Sequence, residues 1–229
     1  MNNIITITTD FGDQFATSQL KAVIYSLGFT GHLIENHDVE PYSVLEGAYG
    51  IWQLAKYCPT GTIHVGIVDP GVGSDRAGIV IKTKKFWFIG PDNGLLWKAV
   101  SSDIDAIWQI NEDYFGQVSN TFHGRDVFAK AAVLLSQGKS PNQFGSKPVK
   151  QIQELDFKQG QILHLDNYGN AKIFGNKTFG LPIVKTFSDV PPNQPLILRG
   201  SSDLLELAVN LSSAKDKYGL KLGQVIDSL

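Results

Sequence analysis

Asp69 and Arg76 stand seven positions apart in Val68-Asp69-Pro70-Gly71-Val72-Gly73-Ser74-Asp75-Arg76. Pro70, Gly71 and Gly73 favour a tight backbone that a ligand can approach closely, and across such a turn a carboxylate and a guanidinium form a charge-assisted pair. The same spacing serves equally well for a structural ion pair. His123, in Thr121-Phe122-His123-Gly124-Arg125-Asp126, precedes an apolar helical pattern and could present an imidazole that holds or moves a proton near neutral pH. A lone histidine is more often structural. Asp10, in Thr8-Thr9-Asp10-Phe11-Gly12, could accept both hydroxyls of a ribose or cap the next helix.

Other chemistries fit these loops poorly. The glycines lack the spacing and following lysine of a phosphate loop, and the Gly71/Gly73 pair lacks the third glycine of a dinucleotide fingerprint. Asp10, His64, Asp69 and His123 are all metal-type donors, but no His-x-His or His-x-x-x-His pair occurs, and Arg76 beside Asp69 would repel a divalent cation. No metal site is expected.

These loops need a scaffold that brings them to one edge. Ile4 to Thr9 is β-branched throughout and reads as a buried strand ending in the polar loop Asp10 to Asp13. Phe15 to Leu27 has helical apolar spacing and stops before Gly28, and His32 to Asn36 reads as the next strand. Val44 to Tyr57 is a second helix and Thr62 to Val68 a third strand, followed by strands at Ile79 to Thr83 and Lys85 to Gly90 that form a hairpin or adjacent pair. Gly124 to Gln137 is helical. The alternation predicts an α/β domain with a mostly parallel sheet, whose ligand crevice lies beyond the carboxyl ends of its strands.

Gly138 to Ser146 is polar and contains Gly and Pro, reads as an interdomain connection, and puts the boundary near residue 150. The domains are then 1–150 and 151–229. Short β-like runs follow at Gly160 to Leu165, Ala171 to Phe174, Ile183 to Phe187 and Gln194 to Leu198, predicting a small all-β C-terminal domain. Asp166-Asn167-Tyr168-Gly169-Asn170 reads as a β-turn that could also reach a ligand. Gly200 to Asn210 reads as serine hydroxyls capping a short helix, whose N-terminus would also hold a carboxylate.

The net charge of −2, with basic residues scattered, offers no face to nucleic acid. The single cysteine, Cys58, can form no internal disulfide and reads as a half-buried free thiol. No apolar run approaches the roughly 20 residues that span a bilayer, and no basic leader precedes the first strand, so no membrane association and a cytoplasmic location are expected.

Taken in order, Thr9-Asp10-Phe11-Gly12, Val68-Asp69-Pro70-Gly71-Val72-Gly73, Pro91-Asp92-Asn93-Gly94-Leu95-Leu96, Thr121-Phe122-His123-Gly124-Arg125-Asp126, Asn167-Tyr168-Gly169-Asn170 and Ser201-Ser202-Asp203-Leu204-Leu205-Glu206 resemble the S-adenosyl-L-methionine hydroxide adenosyltransferase family. Each block is weak alone, but the ordered set spans nearly the whole chain. The resemblance implies hydrolysis of S-adenosyl-L-methionine (SAM) to adenosine and methionine by nucleophilic substitution at ribose C5′. SAM is then the substrate and no cofactor is needed. It also implies a barrel-like C-terminal domain and a homotrimer, with each ligand site between one subunit's N-terminal domain and a neighbour's C-terminal domain.

By matching motifs, Asp69, Arg76 and His123 fall on the family's water-activating set and Asp10 on the ribose diol. Asn170 would meet the adenine, Asp166 the methionine ammonium, and Ser201 with Ser202 the methionine carboxylate. Glu206 and Val209 fall where the adenosine pocket closes, and Tyr42 where relatives carry an aromatic near the sugar. Ser202 departs from relatives that use Arg there. Few residues follow this block, so the last barrel strand is expected to be brief. Halogenases of the same fold, which attack the same carbon with fluoride or chloride, are the nearest rival. They replace the aspartate of this set with an aromatic, and a carboxylate at Asp69 would repel a halide. A non-catalytic adenosine- or SAM-binding module and a metal-dependent phosphate-ester hydrolase are the further alternatives.

Overall fold

A computed structural model describes residues 3–12 and 15–229, so Asp13, the last residue of the first polar loop, lies outside the described residues. The chain divides into two compact units, Met1–Leu155 and Asp156–Leu229.

In the first unit, β1 (Ile4–Thr9) lies between β2 (His32–Asn36) and β3 (Ile63–Ile67) and is parallel to both. β1 is buried on both faces, which is why its sequence is apolar or threonine throughout. Ile5, Ile7, Ile63, Val65 and Ile67 enter one core layer with Leu20 and Ile24 of α1 (Phe15–Ser26). The alternate residues, Thr6, Thr8, His64 and Gly66, face the layer covered by α2 (Val44–Ala55). Ser43 caps α2 by accepting from the Glu46 amide at 3.2 Å. Gly66 is required by close approach, because a Cβ there would lie 2.6 Å from Ile51 and 2.8 Å from Leu95.

The βα alternation stops after β3. β4 (Gly78–Thr83) and β5 (Trp87–Pro91) form the expected pair as an antiparallel hairpin, with β5 seated parallel against β3. Beyond the short helix α3 (Trp97–Val100), β6 (Ile104–Gln109) pairs antiparallel with β4. The π-helical turn Gly124–Phe128 leads into α4 (Ala129–Ser136), and β7 (Lys147–Val149) closes the edge antiparallel to β6. The seven-stranded sheet, β2-β1-β3-β5-β4-β6-β7, is therefore mixed rather than mostly parallel. A hairpin needs no helical crossover, so its strands enter antiparallel. The stretch read as an interdomain connection lies inside this unit: Phe144 is fully buried in the α1 and α4 layer, and Ser140 caps the 3-10 turn Pro141–Phe144.

The second unit holds a five-stranded sheet in the order β10-β11-β12-β9-β8, from β8 (Ile162–Leu165), β9 (Ala171–Ile173), β10 (Ile183–Val184), β11 (Pro195–Arg199) and β12 (Leu205–Val209). Among the described residues, no pairing links β10 to β8. A short helix, α5 (Ala214–Tyr218), follows, so the unit is not all β. The helix expected within 200–210 is instead strand β12, at the centre of the sheet between β11 and β9. Leu, Glu and Ala favour helix locally, but all five residues are buried and paired on both sides, and that burial outweighs propensity. Ser201 and Ser202 accordingly lie in the turn from β11 to β12, where no helix N-terminus exists to hold a carboxylate.

Candidate active site

The loop leaving β3 folds back through turns in which the Val72 amide donates to the Asp69 carbonyl and the Ser74 amide to the Gly71 carbonyl. Gly73 (φ +80°) passes so close to Asn120 that a Cβ would lie 2.4 Å from its carbonyl oxygen. Arg76 returns beside Asp69, its Nε donating to both carboxylate oxygens at 3.0 and 2.9 Å and its Nη2 to Oδ2. Both side chains are nearly buried, at 9% and 6% exposed. Arg76 Nη2 also lies 3.0 Å from His123 Nδ1. A guanidinium only donates, so Nδ1 is the acceptor and the neutral imidazole carries its proton on Nε2.

His123 opens the π-helical turn, and its position is locked twice. A Cβ on Gly124 would sit 2.7 Å from Ile67, so the turn rides directly on β3. Asp126 accepts from the Ser119 amide and is clamped by Nε and Nη2 of Arg125, and those hydrogen bonds hold its carboxyl below the ordinary carboxylate range. Asp10 lies at the carboxyl end of β1, where its Oδ2 accepts from the Tyr42 amide at 2.8 Å. That contact holds Tyr42 at φ +67°, a left-handed backbone that costs a non-glycine residue about 1 to 2 kcal/mol. Its ring is exposed.

One cavity of about 380 Å³ collects these groups. Asp10, Tyr42, Asp69 and His123 line it together with the apolar Phe11, Ile67, Val72 and Phe122. Two carboxylates and an imidazole set among apolar walls suit a ligand with an apolar body, a diol and a positive charge. Among the described residues, no three His, Cys, Asp or Glu side chains come together as metal ligands.

Two residues without an assigned role emerge here. Asn93 Nδ2 donates to the Val68 carbonyl at 2.9 Å and its Oδ1 accepts from the Leu95 amide, so it fixes the backbone just before Asp69. Its place in the Pro91 to Leu96 block was the available signal. Glu112, on the 3-10 turn Glu112–Phe115, lies 3.4 Å from His123 Nδ1, and nothing in the residues around it marks it.

The remaining candidates belong to the second unit. Asp166 Oδ1 accepts from the Tyr168 and Asn170 amides and Oδ2 from Asn170 Nδ2, so this pair builds the β8–β9 turn, with Gly169 at φ +79°. Glu206 is paired with Lys172 across β12 and β9, and Val209 is buried in the core. Register puts the Asp166–Asn170 turn at the Val209 end of β12 and Ser201 and Ser202 at the Leu205 end.

Residues 5–145 match the SAM hydroxide adenosyltransferase N-terminal domain, and residues 160–227 match the SAM hydroxide adenosyltransferase C-terminal domain. The chain belongs to the SAM hydroxide adenosyltransferase family. It is 32% identical to the (R)-S-adenosyl-L-methionine hydrolase of Thermus thermophilus over 83% of this chain and 84% of that one. A fluorinase from an Actinoplanes species is a more distant relative of this family member, 23% identical over 98% and 97% of the two chains. Among solved structures, an uncharacterized conserved protein from Thermotoga maritima superimposes with a TM-score of 0.86 at 27% identity, covering 96% of this chain and 97% of that one.

Proposed function

We propose that this chain hydrolyses SAM to adenosine and L-methionine by attack of water at ribose C5′, without metal or cofactor. The observation that carries the reading is the hydrogen-bonded set of Asp69, Arg76 and His123 at the cavity that Asp10 also lines. Methionine leaves as a neutral thioether, so the leaving group needs no acid, and the difficulty lies in the nucleophile. Arg76 stabilises the developing hydroxide, His123 or Asp69 receives its proton, and Asp10 holds the ribose hydroxyls. Exclusion of bulk water favours the step further, because the sulfonium charge disappears in the transition state.

The Asp69 carboxylate on the cavity wall favours water over a halide, which it would repel. Tyr42 flanks the sugar, Asn170 meets the adenine, and Asp166 takes the methionine ammonium. Ser201 and Ser202 hold the methionine carboxylate, and Glu206 and Val209 close the adenosine pocket. The working assembly is a homotrimer of cytoplasmic subunits whose second sheet curls as a barrel.

Incubating the purified protein with SAM, a chelator and ¹⁸O-labelled water tests this reading. The expected products are methionine and adenosine labelled at the 5′ oxygen. Adenosine without label would overturn the displacement, tight adenosine binding with intact SAM would support the binding module, and loss of turnover with chelator would restore the metal reading.

A further inference from the structure

A sulfonium cation and water become a neutral thioether, an alcohol and a free proton, so each turnover of the proposed hydrolysis leaves one proton to be exported. As the water oxygen bonds to C5′, the C–S electron pair departs on sulfur and the water proton passes to the protein. The His123 side chain is only 8% exposed, so it meets little bulk solvent. It borders a second cavity, of about 310 Å³, whose walls include Ser74, Glu112, Asp113 and Asn120.

Glu112 is the group between the two. Its Oε1 lies 3.4 Å from His123 Nδ1 and 3.6 Å from Arg76 Nη1. Nη1 is buried and makes no hydrogen bond among the described residues, so a shift of a few tenths of an ångström in Glu112 would satisfy it. The Glu112 side chain is 33% exposed, open to water on one side while it faces the buried pair on the other.

We propose that Glu112 is a positioning and proton-relay residue: it orients Arg76 and His123 and carries the released proton from His123 into the second cavity. The inference rests on the hydrolase reading. In the neutral imidazole, Nδ1 accepts from Arg76. With Nε2 already protonated, the water's proton binds at Nδ1, which then becomes a donor, repelled by the guanidinium and attracted to the carboxylate. The N–H bond then breaks, an O–H bond forms on Glu112, and water in the second cavity takes the proton from there. Other charges face the same ring: Asp69 and Arg76 from the loop after β3, Asp10 from the loop after β1 across the first cavity, and Asp113 from Glu112's own turn. Asp126, on the turn that His123 opens, is held by Arg125. Among these, Glu112 is the carboxylate that both approaches Nδ1 and lines the second cavity.

The test compares wild type, Glu112→Ala and Glu112→Gln on SAM, with and without added formate. A loss in kcat of roughly 10- to 100-fold is expected in both variants, with KM within about threefold. Formate should restore Glu112→Ala in a concentration-dependent way by supplying a carboxylate in the emptied space. Glu112→Gln keeps the shape, so its loss separates the relay from a folding defect. Variants within twofold of wild type, or a Glu112→Ala loss that formate leaves unchanged, would overturn the role of Glu112 while leaving the hydrolase reading intact. A wild-type protein that releases no adenosine would instead overturn that reading, and this role with it.

Discussion

Two buried histidines of the first unit lie in regions of opposite character. His64, on β3, is fully buried beside the rings of Phe86 and Phe88, with Thr6 Oγ1 2.8 Å from its Nδ1 and no hydrogen-bond partner for Nε2 among the described residues. Desolvation pushes its pKa down to about 4. His123 is 6% exposed, yet it meets a guanidinium and a carboxylate and borders two cavities. Burial alone therefore does not make a histidine functional. The difference lies in charged neighbours and access to a ligand, which the first region lacks and the second supplies.

The sharpest way to break this contrast is His123→Ala. It should lower kcat on SAM by about a thousandfold, equivalent to about 4 kcal/mol, while adenosine affinity measured by calorimetry stays within a few-fold. Parallel losses in turnover and binding would place His123 with His64 as a structural residue.

The next effect belongs to His64 and is one of stability. Its folded pKa lies below the unfolded value of 6.5, so between about pH 6.5 and 4 the unfolded chain binds the extra proton. The neutral ring's contribution is complete above pH 6.5 and declines as pH falls toward 4, by about 3 kcal/mol. Urea unfolding across that range should show the decline in wild type and a flatter profile in His64→Phe. Equal slopes in the two proteins would remove His64 as the cause.

The smallest effect separates the scaffold of the site from its chemistry. Asn93→Ala removes the hydrogen bond to the Val68 carbonyl and should cost about 1 kcal/mol in stability with a several-fold fall in kcat. A fall as deep as that of His123→Ala would mean that Asn93 does more than hold the loop.

Much of the first unit was legible because its signals are local. The β-branched run of β1, the helical spacing from Phe15 to Leu27, and the glycine-rich loop after β3 each state their structure within a few residues. Other stretches were harder. β12 is built of helix formers and becomes a strand only because β11 and β9 flank it, and Phe144 turned an apparent linker into core. Nothing near Lys172 announces Glu206, which lies 34 positions away and becomes its neighbour only through the sheet.

By itself the sequence determined which groups could do chemistry and in what order they come: Asp10, Asp69, Arg76 and His123, each beside a recognisable turn. Only the tertiary structure decided that Arg76 clasps Asp69 and reaches His123, 47 positions away, and that Glu112 stands behind that pair. It decided equally that His64, as good a donor on paper, is sealed among phenylalanines. The reason is physical: residue type and local spacing set what a group can do, whereas its charge environment and its access to a ligand come from segments far along the chain, packed against it by burial.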